Sequence, residues 1–232
     1  MKLLYISSPS FSDCDFPLIK NFQKKGIDIT YLILITPFEL RSTLIDIKQI
    51  YPHTGIFPAT VYPEFKRFDK YISSDKIYVC NRHGQSKKTI SYWKNLLQLY
   101  NFIRQGNFDV IHTDLLFSGD KKFLYKLGKL VTTIHDPFPH SGEDWNYNKN
   151  SYMQAINNSA GIVLLNRNQK KEFCQKYGVD EKKILINSLG PYEVINYISN
   201  NTTKQKIENN ILFFGRIAPY KGIEYLCALV VK

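Results

Sequence analysis

The chain has 232 residues, of which 44% are hydrophobic and 14% aromatic, so it can build a packed core and is not intrinsically disordered. Its 31 lysine and arginine residues against 20 aspartate and glutamate residues give a formal net charge of +11, which favours anionic partners. The 4 cysteines are scattered without a C-x-x-C pair, which argues against a zinc site or a disulfide framework and predicts a cytoplasmic protein.

The first 35 residues show a strand–helix–strand pattern, which favours a parallel sheet. Lys2–Ser7 and Asp28–Ile35 have the apolar composition of buried strands. Residues 16–25 have the apolar spacing of a helix, with Gly26 at its end. The loop at residues 8–12 contains no glycine, so the dinucleotide fingerprint G-x-G-x-x-G is absent and a nicotinamide or flavin enzyme loses support.

Four prolines punctuate residues 36–75, where only residues 43–47 and 65–72 have a regular pattern. An insertion of this size either shapes a ligand pocket or is an excursion without function, and the sequence leaves both open.

Strands and helices then alternate up to residue 190, which predicts an α/β fold: a Rossmann-like parallel sheet with helices on both faces. The predicted strands cover residues 77–80, 108–114, 130–134, 160–165 and 184–190, and the predicted helices cover residues 91–105, 121–129, 152–158 and 167–177. Residues 191–209 are polar and predict an interdomain linker, so residues 210–232 begin a second domain.

Two of the predicted strands carry a histidine near the carboxyl end, the edge at which open α/β sheets hold ligands. These residues are His112 and His135, and a lone histidine in such a position is more often a hydrogen-bonded structural residue than a ligand-binding one. His135 is the stronger candidate because Asp136 and His140 follow it in one proline-rich loop. A metal site built from these residues is an alternative without any recognised ligand spacing.

The segment at residues 211–222 predicts a short buried strand, a turn and the start of a helix. A strand end that meets a helix N-terminus is a phosphate site in many α/β proteins, because free N–H groups and the helix dipole point there. Arg216 and Lys221 add two cations without requiring a metal. A simple turn with two solvated charges is the alternative.

This segment resembles the G-R-x-x-x-x-K-G donor-site motif of retaining GT-B glycosyltransferases of family 4. Three further segments are similar to that family in the same order: Val131-Thr-Thr-Ile-His-Asp136, Ala160-Gly-Ile-Val-Leu-Leu165, and Gly178-Val-Asp-Glu-Lys-Lys-Ile184 with Gly190. The resemblance covers roughly residues 105–226.

The resemblance implies the N-terminal half of a GT-B fold, followed by the first strand and helix of a donor-binding domain. It implies transfer of a sugar, with retention, from a nucleotide-diphosphate sugar to a glycan or lipid-linked acceptor, as in polysaccharide biosynthesis. No cofactor and no metal are expected. The residues implied are His135 and Asp136 as catalytic; Gly215, Arg216, Lys221 and Gly222 for the donor diphosphate; and His112, His140 and Ser8 as acceptor-side candidates.

The donor domain of the family continues well past the motif, through an acidic E-x7-E segment, whereas this sequence stops at Lys232. We therefore expect residues 1–232 to be inactive alone. Either the sequence is a truncated gene product, or it depends on a second chain that completes the donor domain. A non-enzymatic remnant or binding subunit is the alternative. Peripheral contact with an anionic membrane, at its inner face, is a further candidate interaction, whereas a nucleic-acid binder has no supporting motif.

Overall fold

The computed structural model describes residues 1–35, 44–45, 54–81, 87–117, 119–127, 129–140, 146–190, 193–194, 213, 217 and 219–230. In this part of the chain, eight strands form one sheet in the order β3-β4-β2-β1-β5-β6-β7-β8. The strands are β1 (Lys2–Ser7), β2 (Asp28–Ile35), β3 (Gly55–Pro58), β4 (Ile77–Asn81), β5 (Val110–Thr113), β6 (Leu130–Ile134), β7 (Gly161–Leu164) and β8 (Ile184–Ile186).

Within the described ranges, the α-helices with assigned bounds are α1 (Ser12–Lys24), α2 (Ile90–Gln105), α3 (Asn146–Asn158), α4 (Lys170–Tyr177) and α5 (Ile223–Val230). Shorter 3-10 helices include Pro63–Phe68, Gly119–Leu127 and Pro219–Lys221. Gly178 ends α4 with a φ of 64°, a left-handed conformation that glycine adopts without strain, as its position in the sequence predicted. None of the helices in the described ranges is long and apolar enough to cross a membrane.

Both faces of the sheet are covered, which confirms the predicted architecture. Along β1, Leu3 packs with the buried side chains of α1, whereas Leu4 packs on the opposite face with Leu99 and Ile103 of α2. A third apolar cluster lies under α3 and α4 and includes residues of β6, β7 and β8. Strands buried on two faces need continuous apolar sequence, which is why β1 and β2 were readily predicted.

The sheet departs from the prediction at one edge, where β3 pairs antiparallel to β4. This strand was missed because it is only 4 residues long and ends at Pro58. Proline is tolerated there because an edge strand has no further partner that needs its missing N–H group.

Two predicted regular pieces have a different form. Residues 65–72 were expected to form one regular piece, yet the 3-10 helix is Pro63–Phe68, and the basic helix predicted for residues 121–129 is the 3-10 helix Gly119–Leu127. Of residues 43–47, only Leu44 and Ile45 are described, and they lie in neither a helix nor a strand. Of the strand predicted at residues 211–214, only Phe213 is described, and most of the linker falls outside the described residues, so the domain boundary stays a prediction.

Candidate active site

His135 directly follows β6, and two helices fix the loop that it begins. The Tyr152 hydroxyl of α3 donates a hydrogen bond to the Asp136 carbonyl oxygen at 2.8 Å, and the Tyr177 hydroxyl of α4 donates to the Pro137 carbonyl oxygen at 3.1 Å. Burial raises the pKa of Tyr177, so its hydroxyl keeps the proton that it donates. The backbone at residues 136–137 is therefore held by side chains of α3 and α4.

The imidazole ring of His135 is fixed from two directions. It stacks on Phe11, with ring centroids 4.4 Å apart and an interplanar angle of 12°. Its Nε2 atom is buried and lies 4.0 Å from Oδ1 of Asp114, an ion-pair distance that is too long for a hydrogen bond. Among the described residues, Nε2 has no hydrogen-bond partner. A buried polar atom without a hydrogen-bond partner needs an explanation. One explanation is a binding site whose hydrogen bonds shorten when a ligand binds.

A cavity of about 380 Å³ opens beside this ring, between the sheet edge, α1 and the residues after β8. Its lining includes Tyr5, Asp15, Asp114, Thr133, His135 and Leu189. A second recess of about 450 Å³ shares His135 and Leu189 with it and adds Asp136. The two spaces therefore meet at His135, in a volume range typical of small-molecule sites.

The inner wall of the cavity carries two buried carboxyl groups joined by a tyrosine. Tyr5 Oη lies 2.9 Å from Oδ1 of Asp15 and 2.5 Å from Oδ2 of Asp114, and Tyr31 donates to Oδ2 of Asp15 at 2.7 Å. Burial, followed by the nearby charge of Asp114, raises the pKa of Asp15 well above its ordinary value. The pKa values of Tyr5 and Tyr31 are also raised, mainly by burial, so both phenols stay protonated.

The structure separates the three acceptor-side candidates. His112 is buried, with Nε2 2.8 Å from Oγ1 of Thr133, and burial lowers its pKa, so it is a neutral residue behind the cavity wall. Ser8 is also buried, and its Oγ lies 2.5 Å from Oγ of Ser10. His140 is partly exposed, with Nε2 3.6 Å from Oδ1 of Asp136. None of the three lines the cavity beside His135.

The donor-side candidates are only partly described, because Gly215 and Arg216 lie outside the described residues. Lys221 is exposed, and Gly222 precedes α5 with a φ of 65°. The ring of Tyr220 stacks on His140, with centroids 4.3 Å apart and an interplanar angle of 11°. This contact joins the segment before α5 to the loop that begins at His135.

Sequence reasoning missed Tyr5, Asp15 and Phe11 as members of this site. Tyr5 and Phe11 looked like ordinary apolar positions, and Asp15 looked like an acidic residue before a helix, so no local pattern marked them. Asp114 had a weak signal, since it ends a strand in polar residues. Within the described ranges, no group of three or more His, Cys, Asp or Glu side chains is arranged to hold a metal ion.

The raised pKa of Asp15 predicts a specific pH dependence of stability. Below about pH 3.8 the carboxyl is protonated in both states; above it the unfolded chain releases the proton while the folded chain keeps it, so stability falls as pH rises. Asp15→Asn removes this loss. Between about pH 4 and pH 7, the free energy of unfolding of the variant should rise relative to wild type, by at most about 1.4 kcal/mol per pH unit.

Urea denaturation at a series of pH values measures this difference. The exposed Asp75→Asn serves as a matched control and should give a difference that stays constant with pH. A wild-type protein that gains stability relative to Asp15→Asn as pH rises would contradict the assignment of a retained proton to Asp15.

Solved structures that are similar to this chain include the following three. A glycosyltransferase from Rickettsia africae is 18% identical, with a TM-score of 0.46 over 88% of this chain and 46% of its own. A putative UDP-N-acetylglucosamine 2-epimerase from Listeria monocytogenes is 12% identical, with a TM-score of 0.53 over 90% of this chain and 50% of its own. MurG from Acinetobacter baumannii is 10% identical, with a TM-score of 0.44 over 88% of this chain and 47% of its own.

The match with a TM-score of 0.53 supports a Rossmann-like α/β fold of the kind found in GT-B proteins. This chain spans about half the length of each of the three structures. One fold can serve several activities, so the fold alone does not choose an activity. No curated protein matches the sequence. The family model for Glycosyltransferase Family 4, however, matches residues 18–188 of the 232. This match covers well over half of the chain and includes His135 and the strands on either side of it, so the chain belongs to glycosyltransferase family 4.

Proposed function

We propose that this chain forms the acceptor side, and part of the donor side, of a glycosyltransferase site. The reaction moves a sugar from a nucleotide-diphosphate sugar to a glycan or lipid-linked acceptor, with retention of configuration, in polysaccharide biosynthesis at the cytoplasmic face of a membrane. One observation carries the proposal: within the region matched by the family model, His135 lies at the carboxyl edge of the sheet and lines a cavity of about 380 Å³.

The cavity suits the neutral, hydroxyl-rich end of a carbohydrate. Its lining offers hydroxyl, amide and carboxyl groups from Thr133, Asn187, Ser188 and Asp114, which can pair with sugar hydroxyls in either direction. Because Asp114 places a carboxyl group on the inner wall, a phosphate would meet repulsion there. In this proposal the acceptor sugar occupies the cavity, and any lipid or phosphate part of it remains outside.

The donor diphosphate belongs at the N-terminus of α5 in this proposal. Free N–H groups at the start of a helix and the cations of Arg216 and Lys221 favour an anion there, and they neutralise the charge that develops as the diphosphate leaves. This role needs no metal and no cofactor. His135 acts beside the transferred sugar as a hydrogen-bonding residue rather than as a nucleophile, and Asp136 supports it from the same loop.

We further propose that residues 1–232 do not catalyse transfer by themselves. Lys221 is exposed, and an exposed charge in water attracts a phosphate by only about 1 kcal/mol. Catalysis of this kind also needs donor and acceptor held together in a preorganised site. A second polypeptide that supplies the rest of the donor side would complete the enzyme. A non-enzymatic binding subunit is the alternative function.

His135→Ala tests the proposed site in an enzyme completed by the rest of its donor domain. Loss of one preorganised hydrogen bond to the reacting sugar should lower kcat about 100-fold or more, with little change in the free energy of unfolding. Turnover is measured by nucleotide release with a mixed panel of donors and acceptors, and stability by urea denaturation. Residues 1–232 alone should show no turnover with the same panel.

Two outcomes would argue against this account. Unfolding of His135→Ala without a specific loss of kcat would make His135 a structural residue. Clear turnover by residues 1–232 would overturn the proposal that they are inactive alone. If the completed protein binds saccharides but never turns over, the binding-subunit alternative is supported instead.

One face of α2 fits the proposed contact with an anionic membrane. Ile90, Trp93 and Leu97 are 88%, 55% and 59% exposed, and their spacing puts them on one side of the helix. The exposed residues Lys88 and Lys94 flank this stripe. A helix with an apolar stripe, a tryptophan and flanking lysines binds in the plane of a bilayer interface, where each lysine near anionic lipid contributes about 1 kcal/mol.

Vesicle sedimentation tests this surface. The chain should bind vesicles that contain phosphatidylserine more tightly than pure phosphatidylcholine vesicles, and added salt should weaken the binding. The double variant Lys88→Gln, Lys94→Gln should bind roughly 10-fold or more weakly, and Trp93→Ser should also bind more weakly. The matched control Lys171→Gln, Lys182→Gln removes two exposed lysines elsewhere. An equal loss in the control would mean that net charge alone, and not the α2 surface, drives binding.

A further inference from the structure

A continuous row of buried polar groups leads from the protein interior to the cavity. Tyr31 donates to Asp15 at 2.7 Å, Asp15 lies 2.9 Å from Tyr5 Oη, and Tyr5 Oη lies 2.5 Å from Asp114. The other oxygen of Asp114 lies 4.0 Å from Nε2 of His135. Asp15 and Tyr5 are each 1% exposed and Asp114 is 8% exposed, so water does not separate these groups.

The number of protons in this row is limited by its geometry. Tyr5 has a single hydroxyl proton, yet its oxygen lies within hydrogen-bond distance of both carboxyl groups. If both carboxyl groups were ionised, one of the two short oxygen–oxygen contacts would have no proton between its atoms. A buried contact of that kind is repulsive, so the two carboxyl groups hold one proton between them.

The position of that proton follows from the surroundings of each carboxyl group. Asp15 is the more deeply buried of the two, whereas Asp114 also faces the ring of His135. Deep burial disfavours the charged form of Asp15, so the proton belongs on Asp15. The raised pKa of Asp15 agrees with this arrangement. Asp15 then donates to Tyr5, and Tyr5 donates to the Asp114 carboxylate.

We propose that this row makes Asp114 the positioning residue for His135: it holds a carboxylate against Nε2, keeps the neutral imidazole in the Nε2–H tautomer, and leaves Nδ1 to accept a hydrogen bond from a substrate hydroxyl. The 4.0 Å gap closes when a ligand fills the cavity, as catalytic contacts commonly do. The tautomer of a histidine is set by the group that its other nitrogen faces, and Phe11 prevents the ring from tilting away.

This inference rests on the proposed function in one respect only: the proposed function identifies the ligand whose hydroxyl group binds Nδ1 as a sugar. In a site that binds by accepting a hydroxyl proton at Nδ1, an alcohol group is recognised and an ether at the same position is not, because an ether has no proton to donate. The chemical class that fits His135 is therefore a ligand with a free hydroxyl group directed at the loop after β6.

Two spectroscopic readouts on the wild-type chain test the row without any substrate. At neutral pH, the infrared spectrum of wild type minus that of Asp15→Asn should show the C=O stretching band of one protonated carboxyl group. The exposed Asp75→Asn should retain this band. Long-range proton–nitrogen NMR correlations should assign His135 to the Nε2–H tautomer. Asp15→Asn should retain that tautomer, because an amide can still donate to Tyr5, and Asp114→Asn should lose it.

The inference is overturned if the folded wild-type chain shows no protonated carboxyl band at neutral pH, or if neutral His135 is found in the Nδ1–H tautomer. It is also overturned if Asp114→Asn folds, as judged by its amide NMR spectrum, and leaves the tautomer unchanged. Both wild-type readouts are independent of variant folding. They are independent of sugar transfer as well, so the row and the proposed function can fail separately.

Discussion

Parallel pairing of β1, β5 and β6 is the constraint on which the candidate site depends. In register, Ile6 of β1 lies opposite Thr113 of β5, and Thr113 lies opposite Thr132 of β6, so the carboxyl ends of the three strands finish at the same edge. Polar residues that follow these strands must therefore meet, however far apart they are in the sequence. This is the reason that Asp114 and His135 lie beside one cavity, and an antiparallel arrangement would have sent them to opposite edges.

The burial of two carboxyl groups at this edge opposes folding, yet the surrounding structure accommodates it. Desolvation of a charge is costly, and the row of phenols limits the cost by supplying hydrogen bonds and by letting one carboxyl stay neutral. The other carboxyl group, that of Asp114, faces the ring of His135. Buried titratable groups of this kind reduce stability, and they are found at functional sites more often than at purely structural ones.

The sequence predicted the sheet well because the strands that cross its centre are apolar on both faces. The observed bounds of β1, β2 and β6 agree with the predicted ones, since each is a short run composed mainly of apolar and β-branched residues. The antiparallel β3 was missed because its identity comes from pairing with β4 and not from its own composition. Gly119–Leu127 forms a 3-10 helix where a helix was predicted, because apolar spacing alone does not distinguish a 3-10 helix from an α-helix.

The site was predictable only where one residue carried its own signal. His135 could be selected because an apolar run, a histidine and a proline-rich loop follow one another within a few positions. The partners of His135 could not be selected, because Tyr5 and Asp114 are 109 residues apart and their contact exists only once the sheet has formed. Proton sharing between Asp15 and Asp114 is a property of burial and distance, and neither quantity can be read from residue order.

NMR chemical-shift mapping on residues 1–232 tests the central claim most directly, namely that the cavity beside His135 receives a sugar. Simple saccharides and UDP- or GDP-linked sugars are titrated into the isotope-labelled chain, and the shifted amide signals are mapped on the fold. The account predicts saturable shifts grouped around Tyr5, Asp114, His135 and Leu189. A separate apolar groove of about 400 Å³, lined by Leu3, Val131 and Leu185 among others, is the internal comparison. Shifts confined to that groove, or no saturable shifts with any probe, would contradict the account.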